Sequence, residues 1–191
     1  MKKQIILASA SARRISLLKE WGLIFEVIPS TINEDTKFVR PSYIVRDISY
    51  RKGSDIASKQ NGGLILAADT IVVLNGKIIG KPKDEKESET IIRQLNGSLH
   101  KVYTGVTIID NTTKKKSVFY DCAIVKMKKL PENKLRYLFG KHMDKAGAYA
   151  VQDKNDDFVE KIYGDYYTVV GLPYEKLFKK LLQFGIKLKS V

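Results

Sequence analysis

Three short stretches hold groups able to bind and activate a phosphorylated ligand. Ala8-Ser9-Ala10-Ser11-Ala12-Arg13-Arg14 combines small residues, hydroxyls and two guanidinium groups. Small residues let the backbone approach a ligand closely, and the open N–H groups of a helix start attract anions. Arginines in a first helical turn oppose the macrodipole, a conflict that a bound phosphate resolves by pairing with both. A serine N-cap followed by solvated arginines explains the same residues equally well. The second stretch centres on Asp69, which interrupts the apolar runs Leu64–Ala68 and Ile71–Leu74. A lone carboxylate taken out of water is costly unless it is paired or bound to a metal. Its apolar flanks therefore favour a functional role over a strand-end cap shared with Thr70. The third is Gly80-Lys81-Pro82, a constrained backbone carrying a reaching ammonium suited to a phosphate oxygen. A plain turn lysine is the competing reading.

Weaker candidates lie around these. Lys52 falls on a helix expected from Pro41, where a solvated lysine is the default. Glu34, in Asn33-Glu34-Asp35, could ligate a divalent cation together with Asp69, although a loop acid is as a rule simply exposed. Asp144–Gln152 alternates small residues with Tyr149 and Gln152, which suits a wall with polar and aromatic groups projecting at chosen points. Gln152 offers both a donor and an acceptor, as reading a base edge requires. A strand edge accounts for that composition as well.

The elements that must position these groups can be read from punctuation and periodicity. Gln4–Ala8 reads as a short buried strand, followed by a helix with Leu17, Leu18 and Trp21 on one side and Gly22 as its C′ stop. Phe25–Ile28 is a second strand closed by Pro29. Pro41 opens a helix carrying Ile44, Val45, Ile48 and Ile56 that ends near Asn61-Gly62-Gly63. Leu64–Leu74 turns at Asn75-Gly76 into Lys77–Ile79. Asp84 caps a helix with Glu85 and Glu87 in its first turn, stopped by Gly97. Val102–Ile109 and Ser117–Met127 form a second hairpin across a polar tip that includes Lys114-Lys115-Lys116. A helix follows Pro131, with strands at Phe158–Ile162 and Tyr166–Val170. The closing helix Pro173–Phe184 turns Leu177, Phe178, Leu181 and Leu182 inward. Interleaved strands and helices with hairpins predict an α/β fold with a mixed sheet.

Composition narrows the function classes. The 191 residues suit one domain, or one domain with two lobes, and 43% hydrophobic residues close a sizeable core. Lys and Arg number 34 against 21 Asp and Glu, a net charge of +13 that points to anionic partners. One cysteine, Cys122, excludes an internal disulfide and any multi-cysteine zinc site. Two histidines, His100 and His142, leave little for a His-based metal cluster. No apolar run is long enough to span a bilayer, and Ile5–Ala8 is too short for a signal-peptide core. The expectation is a cytoplasmic protein that keeps its N-terminus. Aromatic residues do not interleave with a compact Arg/Lys stripe in the sequence, which argues against a nucleic-acid binder.

Together these segments resemble the Maf-like nucleoside triphosphate pyrophosphatases. The family's S-x-S-x-R-R is similar to Ser9, Ser11, Arg13 and Arg14. Its isolated glutamate and helical lysine fall on Glu34 and Lys52, and its A-D-T and G-K-P on Ala68-Asp69-Thr70 and Gly80-Lys81-Pro82. The D-K-A-G-A-Y…Q block matches Asp144–Tyr149 and Gln152, and V-V-G-L-P matches Val169–Pro173. The ordered set spans almost the whole chain. It implies a single Maf-like domain over residues 1–191, a Maf/inosine triphosphatase-like fold with two lobes around a central cleft, and a homodimer. The implied reaction is hydrolysis of a nucleoside triphosphate to the monophosphate and pyrophosphate with a divalent metal cation, Mg²⁺ or Mn²⁺. Carried over, Asp69 is the general base, and Ser9, Arg13, Arg14, Lys52 and Lys81 line the triphosphate site. Glu34 is the metal-site carboxylate, with Asp69 sharing that role. Arg13, Thr70 and Gln152 fall on the specificity positions of the branch that prefers dTTP and UTP. The branch preferring 7-methyl-GTP typically lacks the A-G-A-Y…Q pattern. Ala12 stands where proline is usual, and Ala150 and Asp153 replace glycines around Gln152, residues that resist glycine's backbone geometries.

Overall fold

A computed structural model describes residues 3–188. Its helices and strands run β1 (Ile5–Leu7), α1 (Ala12–Glu20), β2 (Glu26–Val27), α2 (Pro41–Lys59), β3 (Leu64–Leu74), β4 (Lys77–Ile79) and α3 (Glu85–Leu95). They continue with β5 (Leu99–Asp110), β6 (Lys116–Met127), α4 (Glu132–Leu138), β7 (Val159–Tyr163), α5 (Tyr166–Val170) and α6 (Tyr174–Leu182). A seven-stranded sheet has the order β2-β1-β3-β5-β6-β7, with β4 on β3. β1 pairs in parallel with β2 and β3, whereas β3–β4 and β6–β7 are antiparallel, so the sheet is mixed as expected. Among the described residues, no helix is long and apolar enough to cross a membrane.

Local chemistry explains most boundaries. α1 ends in a Schellman motif: Gly22 adopts φ 76°, its N–H donates to Lys19 O, and Leu23 N–H donates to Leu18 O. Asn75 and Gly76, at φ 50° and 80°, make the two-residue turn that registers Leu74 against Lys77. The Asp84 carboxylate accepts the Glu87 N–H at 2.7 Å and starts α3.

The described residues fall into two compact units, residues 3–69, 104–121 and 171–188 in the first and 70–103 and 122–170 in the second. In the first, Ile6, Ala8, Ile56, Ile65, Ala67 and Ile109 form a buried cluster that seats α2 on the sheet. That seating is unusually close. A Cβ on Gly53 would meet Ile109, Thr107 and Ala67 at 3.3–3.4 Å, and one on Gly105 would lie 2.1 Å from the Val45 carbonyl oxygen. The second unit packs Ile91, Ile92 and Leu95 of α3 with Val72, Val102, Val125, Leu135, Phe158 and Tyr149.

Three local readings are corrected. Tyr166–Val170, expected as a strand, is the helix α5. Asp165 caps it, its carboxylate accepting the Tyr167 N–H at 2.8 Å, and Thr168, Val169 and Val170 are buried. Cap and burial outweigh the weak strand preference of β-branched residues. Residues 146–152 are no strand edge either, but a 3-10 turn over Ala146–Ala148 that runs into further turns. In α6, Leu177 and Leu181 face inward as expected, while Leu182 is exposed.

Candidate active site

Asp69 is placed by strand alternation. Ile65, Ala67 and Asp69 share one face of β3, and Ile65 and Ala67 belong to the cluster that receives Ile56 of α2. Lys52 lies one helical turn before Ile56 and so leaves α2 on the same side. The Lys52 ammonium reaches Asp69 Oδ1 at 2.9 Å and Glu34 Oε1 at 2.7 Å. The Lys52 and Asp69 side chains are only 13% and 8% exposed, whereas Glu34 is 59% exposed. The default of a solvated lysine is thus overturned: Lys52 is a half-buried counter-charge of the catalytic candidate, and its removal would take away the ammonium that bonds the buried Asp69 carboxylate.

Glu34 is presented by a braced loop. Arg51 donates to the carbonyls of Asn33 and Asp35, each at 2.7 Å, and so holds the backbone on both sides of Glu34. Its Nε bonds Asp47 at 3.0 Å, and Asp47 accepts from Thr36 at 2.9 Å. Sequence reasoning missed Arg51, because nothing beyond its place beside Lys52 marks an arginine whose partners are main-chain oxygens.

The Ser9–Arg14 segment joins the same cluster. Arg14 is buried, and it donates to Gly171 O at 3.0 Å, Ala68 O at 2.9 Å and Ser9 Oγ at 3.1 Å. Burial lowers its pKa to about 10, opposed by the neighbouring Asp69 carboxylate; Arg13 pushes it further down and Glu34 pushes it back. Arg14 therefore stays charged at neutral pH, in the electrostatic field of Arg13, Glu34 and Asp69. The solvated-arginine reading fails for Arg14, and Arg13 is half-buried. Ser11 is the N-cap residue of α1, but its side chain makes no capping bond. Three cations, Arg13, Arg14 and Lys52, thus stand with two carboxylates, an excess of positive charge suited to an anion.

The carboxylates also fit a divalent cation. Glu34 and Asp69 each aim an oxygen at one cationic point, the Lys52 ammonium. Hard oxygen donors in this number suit Mg²⁺ or Mn²⁺, which keep several waters and need only one or two carboxylates from protein.

Thr70, Lys81 and Gln152 belong to the second unit. Thr70 is half-buried on β3, while Lys81 and Gln152 are exposed. The Gly147 N–H donates to Gly80 O at 3.0 Å, which ties the G-K-P turn to the A-G-A-Y turn. Among the described residues, the non-glycine positive-φ positions are Asn75, Lys114, Ala148 and Asp157. The turn carrying Gln152 therefore forms without the family's glycines at 150 and 153. The Asp153 N–H donates to Ala150 O, and its carboxylate pairs with Lys141 at 3.1 Å.

The same unit holds a group that the sequence did not signal, since its members share no spacing pattern. His142 Nε2 lies 2.6 Å from Asp156 and 3.9 Å from Asp153. The ligand atoms of the three lie within 4.8 Å of one another and could hold a metal ion. Lys141 pairs with both aspartates and offsets one of their two negative charges.

Comparison with known proteins identifies the family of the chain. The family described as Maf-like protein matches residues 4–184. A dTTP/UTP pyrophosphatase of Elusimicrobium minutum is 41% identical over 182 residues, 95% of this chain and 99% of that protein. The dTTP/UTP pyrophosphatase of Clostridium tetani is 41% identical over 189 residues, 96% of this chain and 98% of its own length. Among solved structures, the Staphylococcus aureus Ham1 protein superposes with a TM-score of 0.57 at 15% identity, covering 96% of this chain and 100% of that one. That likeness concerns the fold alone. With a family match over nearly the whole length and relatives at this identity, the chain belongs to the Maf-like protein family.

Proposed function

We propose that the protein hydrolyses nucleoside triphosphates, dTTP and UTP foremost, to the nucleoside monophosphate and pyrophosphate. The observation that carries this reading is the Lys52 ammonium held between Glu34 and Asp69, next to the buried Arg14. A triphosphate calls for this combination of cations to bind it and a carboxylate to take a proton from water. Relatives named dTTP/UTP pyrophosphatase support the choice of substrate.

In this mechanism Asp69 accepts a proton from a water molecule that attacks the α-phosphorus in line. The new bond joins water oxygen to phosphorus, the α–β bridging bond breaks, and pyrophosphate leaves. Lys52 orients the Asp69 carboxylate. Ser9, Arg13, Arg14, Lys52 and Lys81 bind the phosphates, Arg14 also fixing the Ser9 hydroxyl. A divalent cation held by Glu34 and Asp69 would neutralise charge developing on the phosphate oxygens. Arg13, Thr70 and Gln152 select the base, Gln152 pairing a donor and an acceptor with a pyrimidine edge. The reading takes residues 1–191 as one Maf-like domain acting as a cytoplasmic homodimer.

The test is product analysis of the purified protein with Mg²⁺ or Mn²⁺ across dTTP, UTP, CTP, GTP and 7-methyl-GTP. Pyrophosphate released chiefly from dTTP and UTP, and abolished in Asp69→Asn with the fold retained, is the expected result. Pyrophosphate chiefly from another nucleotide would overturn the specificity, and orthophosphate as the product would overturn the reaction.

A further inference from the structure

We infer that His100 and Tyr149 form a positioning pair that fixes Lys81 through the Gly147–Gly80 backbone bond. This rests on the phosphate-binding role proposed for Lys81. Both side chains are buried, so the pair acts through Lys81 and not by contact with substrate.

His100, on β5, is 2% exposed, and its Nε2 lies 2.8 Å from the Tyr149 hydroxyl. The two rings meet edge to face, with centroids 5.4 Å apart at 75°. His100 Nδ1 is buried without a hydrogen-bond partner among the described residues, so the phenol is the polar anchor of the imidazole. Burial holds the His100 pKa down to about 4, which keeps the ring neutral through the physiological range.

Tyr149 in turn covers Gly147. A Cβ at Gly147 would lie 3.0 and 3.1 Å from Tyr149 Cε1 and Cδ1 and 3.2 Å from Val72 Cγ2. The turn beneath the ring is conformationally costly at Ala148, an alanine at φ 54° that follows Gly147 at φ 78°. Such backbone persists only where its surroundings over-determine it, and the ring anchored by His100 is that constraint. The Gly147 N–H leaves this turn to donate to Gly80 O at 3.0 Å. Lys81 is the next residue, and Pro82 beyond it restricts the Lys81 backbone further. The Tyr149 hydroxyl is therefore committed inward to His100, and the sequence expectation of an aromatic group projecting from a wall is replaced by a positioning role.

Tyr149→Phe removes one oxygen and keeps the ring. Loss of one net hydrogen bond corresponds to an effect of about fivefold, expected as a raised KM for dTTP with kcat nearly unchanged. In a Lys81→Met background the same substitution is expected to leave KM unmoved, because both act through one group. His100→Phe should reproduce Tyr149→Phe, and His100→Gln, whose amide can meet the phenol, should restore a KM near that of the wild type. An unchanged KM in Tyr149→Phe, or the same fold-change with and without Lys81, would overturn the inference. Hydrogen exchange gives a readout independent of turnover: the Gly147 amide should lose protection in Tyr149→Phe while α3 keeps its own. Retained Gly147 protection would also overturn the pair's role. Absence of pyrophosphate from the wild type would instead count against the proposed reaction.

Discussion

Replacing Gly105 by alanine should displace the helix that carries Lys52. Gly105 lies on β5 under α2, and the added Cβ would sit 2.1 Å from Val45 O, 2.3 Å from Val45 C and 2.9 Å from Arg46 N. All three are backbone atoms, so no rotamer change relieves the clash. Reaching an ordinary contact of 3.4 Å requires α2 to recede by about 1.3 Å. Overpacking of this kind costs about 3 kcal/mol or more, which for a chain of this size lowers Tm by roughly 6–12 °C. Lys52 is about two helical turns beyond Val45, so the shift carries its ammonium away from the bonds of 2.7 and 2.9 Å to Glu34 and Asp69. Thermal melts and steady-state dTTP hydrolysis should therefore fall together, kcat/KM by about tenfold or more. Gly62→Ala is the control, because its Cβ would meet only Thr112 Oγ1, at 3.7 Å. A Gly105→Ala protein with wild-type Tm and wild-type kcat/KM would refute the claim that close approach at Gly105 places Lys52.

Other substitutions probe the charges directly. Lys52→Met should lower Tm by several degrees and raise KM for the triphosphate, since it leaves Asp69 buried without its ammonium; Lys52→Arg should recover part of the stability. Arg14→Lys keeps the charge but cannot reproduce bonds to Gly171, Ala68 and Ser9 at once, so a melting curve should show a loss of about 2 kcal/mol or more. His100 has a folded pKa near 4, below the 6.5 of an unfolded histidine. The unfolded state therefore binds the extra proton, and the stability from neutral His100 is full above pH 6.5 and lost as pH falls toward 4. Tm measured across that window should decline less steeply in His100→Gln than in the wild type. Asp84→Ala should cost about 1 kcal/mol through the lost Glu87 N–H bond, with kcat unchanged.

Residue chemistry acting over a few positions is legible in the sequence alone. Gly22, Asn75-Gly76, Asp84 and Pro131 impose their turns and caps through the backbone next to them, and the elements they bound stand where periodicity puts them. The apolar run around Asp69 likewise announces a buried carboxylate in need of a partner. Which partner it has was decided by tertiary structure alone. Lys52 reads as a solvated lysine until Gly105 and Gly53 let α2 sit against the sheet and turn its ammonium onto Asp69 and Glu34. Arg14 stands in the sequence beside Arg13 with nothing to show that it also holds the Gly171 and Ala68 carbonyls, which only the fold brings to it. The β-branched Thr168-Val169-Val170 reads as strand until the Asp165 cap and burial make it helix. His100 and Tyr149, 49 residues apart, meet only in the folded chain. Local preferences act through neighbouring backbone and are written in order along the sequence. Ion pairs, buried hydrogen bonds and close packing depend on burial and on residues distant in sequence, so they exist only once the chain has folded.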